Sequence, residues 1–401
     1  MTTARAFRPG PAAAILGLAL GIGSCAHLPA AGATPESLDV SADLKEIRDN
    51  PALLARLRAT PHGYFRFVNA AFTREVCRRF QDLETPQPAV TLHGDCHVEQ
   101  YAVTDLGRGL TDFDDSASGP AYVDIVRFGV SIQLVARERG WIADVDRVYA
   151  AFRSGYRRAL VDPNLAAKEP QFVKRVTATF DYDRARALAR AEALMETLPE
   201  HTPEGDSSRA ELSKRMVAEN AGLPEWFFKA KKIGRLRVGV GSALSAKYLA
   251  RVEGPTLDEN DDIILEAKEL VDRGEAVACV RLEAGPSRVF NGDARIAYQP
   301  FRYTGVMHLD NKTLWVHAWP DNYVEVAIQS LASVTELAEI AYDAGVQLGR
   351  GHPKTTNSED VALGRAALMR SLPEAQMRSV IQAMTIETIA AWNRFRAASG
   401  P

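Results

Sequence analysis

The chain has few cysteines, four in 401 residues, and no C-x-x-C pair. That excludes the spacing of structural zinc sites and of dithiol redox motifs. It has little net charge. Its 48 Lys and Arg stand against 51 Asp and Glu, for a formal −3. A nucleic-acid-binding surface needs a basic excess to displace counterions, so no nucleic-acid partner is expected. The basic stretch from Lys229 to Arg237 reads as solvated surface. There is no apolar run long enough to span a bilayer, no internal repeat, and no long linker after residue 40. What is there is ordinary for a globular protein: 46% apolar and 25% charged residues, with length enough for two lobes.

The N-terminus is informative. Arg5 and Arg8 precede the apolar run Ala12 to Ile22, about the length of a secretory apolar region. The run ends in Ile22-Gly23-Ser24-Cys25, which resembles a bacterial lipobox, although Gly23 is an unusual choice. Residues 1–25 are therefore expected to be a lipoprotein signal peptide. Lipid on Cys25 would hold an exported protein at the membrane, on the periplasmic side. The competing reading is a fortuitous apolar leader on a cytoplasmic protein. Residues 26–40, rich in Ala, Pro and Gly, read as a flexible tether. Cys77, Cys96 and Cys279 then remain, an odd number that leaves at least one free thiol. No disulfide scaffold is implied.

Periodicity predicts two short helices from Leu44 to Leu57, separated at Pro51, and one helix from Tyr64 to Phe80. A strand, Ala89 to Leu92, follows. Helices are expected at Val123–Glu138, Ala143–Leu160 and Arg184–Thr197, with a loop at 198–208. A β-rich block is expected at about 230–320, including Ile263–Leu265, Ala276–Val280 and Thr313–His317. Helices return at Val326–Arg350 and from Leu363 onward.

The chemistry concentrates after the first strand. Phosphoryl transfer asks a protein for a carboxylate to take the nucleophile's proton and for metal ligands to neutralise phosphate charge. In His93-Gly94-Asp95-Cys96-His97-Val98-Glu99-Gln100, Asp95 follows a strand, and Gly94 allows a tight turn. Gln100 lies where a ligating amide would sit. Asp112-Phe113-Asp114-Asp115 adds three carboxylates suited to magnesium, which takes oxygen ligands. Further on, Val238-Gly239-Val240-Gly241-Ser242 lets backbone N–H groups approach phosphates. Lys268 ends the next apolar strand. Each of these last two is weak alone; together with the first two segments they specify one kind of site.

The pattern resembles the H-G-D-x-H-x-x-N and D-F/W-x pairs of aminoglycoside phosphotransferases and choline kinases, with Gly119 to Asp124 as their following tail. The resemblance implies Asp95 as catalytic base beside His93 and His97, Asp112 with Gln100 and Asp114 at magnesium, and Asp124 as a buttress. It also implies ATP, or a related nucleotide, held by Gly239, Gly241, Ser242 and Lys268. The order is inverted, however: the catalytic loop precedes the Gly loop and the lysine. Such an inversion is similar to the bacterial domain of unknown function 2252 family, over roughly residues 55 to 355. Thr60 to Arg66, Gly94 to His97, Asp112 to Asp115, Val238 to Ser242, Lys268-Glu269 and Leu348 to His352 carry that resemblance. One departure is Gln100, where the family has Asn; the extra methylene moves the amide oxygen. The Glu that pairs with the lysine is not evident, Glu283 being only a candidate.

The expected fold is thus α+β, a two-lobed, circularly permuted protein-kinase-like fold with the catalytic-loop lobe before the β-rich nucleotide lobe. Residues 41–225 and 323–401 would build the helical lobe and 226–322 the β-rich one. The expected function is ATP-dependent phosphoryl or nucleotidyl transfer to an acceptor, small molecule or protein, that these motifs leave open. Two other readings stand beside it. A catalytically impaired binding lipoprotein would suit Gln100 and a compartment without an ATP pool. A haloacid-dehalogenase-type phosphatase would use Asp112 to Ser116 as its D-x-D motif, but leaves His93 to Asp95 unexplained. Cys96 as a nucleophile lacks a patterned partner beyond His97, and Trp315 and Trp319 read as core or lobe-interface residues rather than a ligand platform.

Overall fold

The computed structural model describes residues 38–40, 44–198, 203–220, 222–224, 226–236, 245–270, 279–282, 285–309, 311–354 and 358–399. The expected signal peptide, Cys25, the Gly239-Gly241-Ser242 loop and Glu283 lie outside them. Leu38 and Val40, counted with the tether, are buried, and the Tyr64 hydroxyl donates to the Leu38 carbonyl at 2.6 Å. No helix among the described residues is long and apolar enough to cross a membrane.

The architecture is α+β. Strands β1 (Ala89–Leu92) and β4 (Ala117–Pro120) form a two-stranded sheet. β2 (Tyr101–Thr104) lies between β3 (Arg108–Leu110) and β11 (Tyr323–Glu325). The large sheet has six strands in the order β5 (Met195–Thr197), β6 (Ala230–Leu236), β7 (Lys247–Val252), β8 (Ile263–Glu269), β10 (Lys312–Ala318), β9 (Gly305–Leu309). Its neighbours pair antiparallel throughout.

Local chemistry explains the helix boundaries. Asn50 accepts from the Leu53 N–H and Thr60 from the Gly63 N–H, each just before a proline. A cap followed by Pro, whose missing N–H costs nothing there, starts a new helix. The same rule corrects one expectation. Pro203 opens the helix Pro203–Glu219 inside the stretch read as a loop. Helix Arg184–Ala193 stops short of Thr197, because Met195–Thr197 pairs with β6 as an edge strand. The expected helix Tyr64–Phe80 is two, Pro61–Phe67 and Asn69–Arg79. The helix expected from Val326 starts at Val334, where Ser333 caps the Glu336 N–H, and Tyr323–Glu325 instead joins the sheet. A helix, Ser287–Ile296, also interrupts the block expected to be β-rich.

The helix Tyr122–Glu138 is buried on almost every side and forms the axis of the largest apolar cluster. Against it pack helix Val145–Val161, on whose other side lies helix Val334–Gly351, and helix Glu374–Ala398. Gly155 and Gly345 bring the first two of these together. A Cβ on Gly155 would lie 2.2 Å from the Tyr342 carbonyl, and one on Gly345 2.1 Å from that of Phe152. The six-stranded sheet has separate clusters on its two faces. Leu212, Met216, Phe228 and Leu265 fill one, and Leu188, Leu249 and Ile264 the other. Side chains alternate across a strand, so Glu266 and Lys268 of β8 share the face of Ile264.

Cys77 and Cys279 form a disulfide across 202 residues of sequence, leaving Cys96 buried as the free thiol among the described residues. It ties helix Asn69–Arg79 to the segment that bridges β4 through Ser118 and Arg281. Closing so long a loop restricts the unfolded chain, an effect of about 2–5 kcal/mol. Cys77→Ser/Cys279→Ser should therefore lower the denaturant midpoint, with wild type in reductant shifting alike. Equal midpoints with and without reductant would contradict this.

Candidate functional site

The loop after β1 is held by one carboxylate. Asp124, in the first turn of helix Tyr122–Glu138, accepts from the His93 N–H at 2.7 Å and the Gly94 N–H at 3.0 Å. His352 Nε2 donates to it at 3.1 Å, and the Tyr156 hydroxyl donates to His352 Nδ1 at 2.9 Å. Burial alone would push Asp124 up, but His352 and His93 hold it below the usual carboxylate value. Gly94 is required at φ +85°, and a Cβ there would lie 1.8 Å from the Asp115 carbonyl oxygen. That contact is with backbone, so relief means moving the turn that carries the acidic cluster. Gly94→Ala should destabilise by several kcal/mol, about 1–3 from the backbone conformation alone and the rest from the clash. A thermal melt within a degree of wild type would show that the turn gives way freely.

Asp95 follows. Its Oδ1 accepts from Arg127 Nε at 2.6 Å, and Arg127 NH2 also contacts it. Arg127 is fully buried and lies over the Phe65 ring, 4.2 Å from its centroid. The other oxygen, Oδ2, is 3.7 Å from His97 Nε2. Burial raises the Asp95 pKa, with Arg127 opposing and Asp115 adding to the rise. A carboxylate more basic than usual, with one oxygen fixed and one facing a cavity, has the form of a proton acceptor. His97 is buried and pushed far below its ordinary pKa by burial and by Arg66, so it is neutral. His93 links loops: its Nε2 donates to the Thr111 carbonyl at 2.9 Å, and Nδ1 accepts from the Asp95 N–H at 3.3 Å. Cys96 is buried, and burial raises its thiol pKa well above 9.0, which makes it inert.

Asp112 stands at the end of β3 with φ 63°, the left-handed region, and starts a short turn through Asp115. Such backbone in a non-Gly residue costs energy and clusters at functional sites. Asn69 ties that turn to the first loop, donating to the Gly94 carbonyl at 3.0 Å and to Asp115 Oδ2 at 2.8 Å. Lys268 Nζ reaches across from β8 to Asp112 Oδ1 at 2.5 Å and Asp114 Oδ2 at 2.7 Å. Trp315 Nε1 donates to Asp114 Oδ1 at 2.7 Å, and Arg288 donates to the Asp114 carbonyl. Burial opposes ionisation of Asp112, but Lys268 outweighs it and keeps the carboxylate charged. Asp114 is raised to about 6 by burial and by Asp112, against the pull of Lys268.

Gln100 Nε2 donates to Asp112 Oδ2 at 3.3 Å, while its Oε1 is buried without a hydrogen-bond partner. An orphaned amide oxygen beside a charged carboxylate fits a hard cation, which would satisfy both. Asp112 and Gln100 are thus the residues suited to magnesium. Both oxygens of Asp112 are engaged, by Lys268 and the Gln100 amide N–H, as are both of Asp114, by Trp315 and Lys268, so Gln100 Oε1 is the oxygen of the three side chains without a partner. Among the described residues no cluster of three or more His, Cys, Asp or Glu is arranged as a metal site.

Asp95 and the carboxylates of the Asp112 turn line one cavity of about 420 Å³, whose lining does not include His93 or His97. It brings Asp95, Gln100, Asp112, Asp114 and Lys268 together from the first half of the chain and from the sheet. It also holds residues that sequence reasoning passed over: Lys247, Glu266, His317 and Glu325. Glu266 was legible, because it sits two positions before Lys268 on the same strand face. It is buried and accepts from His317 Nε2 at 3.1 Å. Arg127 carried no local signal, since it precedes nothing that resembles a motif. Trp319 and Trp315, read as core or lobe-interface residues, both reach the cavity wall, as does Arg66, which pairs with Glu99 at 3.0 Å.

Residues 50–232 match the family described as an uncharacterized protein conserved in bacteria, DUF2252. That stretch contains the Asp95 loop and the Asp112 turn; Lys268 lies beyond it. No match was found among the curated proteins or among the solved structures.

Proposed function

We propose that this cavity transfers a phosphoryl group, in a protein-kinase-like arrangement of two lobes whose order along the chain is circularly permuted. The observation that carries the reading is the junction of Lys268, from the sheet, with Asp112 and Asp114, across the cavity from Asp95. A carboxylate base, an Asp–amide cation site and a buried lysine are the parts that phosphoryl transfer requires. In the reaction, an acceptor hydroxyl oxygen attacks the terminal phosphorus of the donor. The bond from that phosphorus to the bridging oxygen breaks, and the acceptor's proton passes to Asp95 Oδ2. Arg127 holds Asp95 in place, and Asp124 holds the loop. Lys268 meets the donor's phosphate oxygens. Magnesium, when bound by Asp112 and Gln100, neutralises phosphate charge.

The disulfide supports export, since such bonds persist in oxidising compartments, and fits a lipid-anchored protein on the periplasmic side. The same setting favours a second reading, a binding protein of this fold without turnover. Gln100, which turns its Nε2 and not its oxygen to Asp112, is the observation on its side. Thermal melts with ATP and magnesium or manganese separate binding from its absence. A rise in melting temperature that needs both nucleotide and metal supports either reading, and the absence of any rise overturns both. Phosphate release then decides between them.

A further inference from the structure

We propose that Lys247 and Lys268 together grip a chain of linked phosphoryl groups, so that the donor is an anhydride of at least two phosphates. This rests on the phosphotransfer reading and deepens it by adding Lys247 to the donor's site and by freeing recognition from the nucleoside. Lys247 and Lys268 are directly opposite partners in the antiparallel pairing of β7 and β8. Opposed positions bring the two Cβ atoms to about 5 Å and the side chains to one face. Both side chains line the cavity that holds Asp95, Asp112 and Asp114.

Like charges at directly opposed positions destabilise a sheet. Here the pair is also withdrawn from water: Lys268 is buried and Lys247 half-buried. Burial and Lys268 both push the Lys247 pKa down, while Asp112 and Glu266 resist. A single phosphate monoanion would need only one cation there. A chain of phosphates carries several negative oxygens along its length, and two ammonium groups side by side match that spread. Of the carboxylates opposite, Asp112 would meet such a ligand through a cation shared with the Gln100 amide, and Asp114 stays turned to Trp315 Nε1 and Lys268. Nucleoside triphosphates and inorganic polyphosphates share this chemistry. The second would give an exported protein a donor that contains no nucleoside.

The test is calorimetric titration with magnesium of wild type, Lys247→Met and Lys247→Arg, using ATP, tripolyphosphate and AMP. Circular dichroism melts would establish that each variant is folded. ATP and tripolyphosphate should bind wild type more tightly than AMP. Lys247→Met should weaken the first two by about tenfold to a hundredfold and AMP much less, and Lys247→Arg should retain most of the affinity. Equal binding of ATP and tripolyphosphate places recognition in the phosphate chain; tighter binding of ATP adds a nucleoside contact. A folded Lys247→Met that binds both as wild type does overturns the assignment of Lys247 alone. Wild type that binds none of the three overturns the phosphotransfer reading with it.

Discussion

Asp95→Asn is expected to lower phosphoryl transfer by about 10²–10⁴-fold, the range lost with a general base. The change removes the proton acceptor while keeping the size of the side chain. It also touches stability, which the sequence does not reveal. Asp95 is the partner of Arg127, whose guanidinium is fully buried. Breaking a buried ion pair costs about 3–5 kcal/mol. Asn still offers an oxygen to one Arg127 N–H, so the loss should fall at or below the lower end. Set against a total stability of about 5–15 kcal/mol, the variant stays folded with a lower melting temperature. Asp95→Glu keeps the charge for Arg127 but moves the carboxylate by a methylene, and should lose activity with a smaller thermal shift. Wild-type rates in a folded Asp95→Asn would remove Asp95 from the chemistry.

Lys268→Met should have the second large effect, on both turnover and stability. It removes the proposed phosphate contact, and it leaves Asp112 and Asp114 adjacent and half-buried without their shared cation. The pH dependence has a definite sign. In the wild type Asp112 is held below its usual value by Lys268, so its contribution to stability is present above about pH 4. Without Lys268, burial lifts the carboxyls of the pair, and Lys247 is the cation left to oppose it. A carboxyl raised in this way favours the folded state only at low pH and loses that contribution as pH rises. The melting-temperature gap between wild type and Lys268→Met should therefore widen from pH 4 to pH 7.5, measured in the presence of a chelator. A gap constant across that range would show that Lys268 does not set the ionisation of the pair.

The site's first half was legible because its parts are close in sequence. The strand Ala89–Leu92, the Gly94 turn and the Asp112 cluster lie within about 25 residues, and local geometry constrains each. Lys268 was legible as a strand-end lysine, but not its attachment to Asp112 and Asp114, more than 150 residues away. Arg127 and Asn69 act through partners on other elements, so neither shows a spacing that a reader could find. The Cys77–Cys279 bridge spans 202 residues, and three cysteines without a motif do not choose their pair. The helix at Pro203 was read as a loop because Pro breaks helix interiors; at a helix start it does the opposite.

The central claim is that Asp95 and the Lys268–Asp112–Asp114 junction form one phosphotransfer site. Its most direct test follows the terminal phosphate of labelled ATP, and in parallel of tripolyphosphate, with magnesium, in wild type and in Asp95→Asn. Wild type is expected to release phosphate or transfer label with at least one donor, and the variant to do so at a rate lower by about 10²-fold or more. Binding of the donor without any release or transfer would leave a binding protein in place of an enzyme. Release that is equal in wild type and a folded Asp95→Asn would contradict the site as assigned.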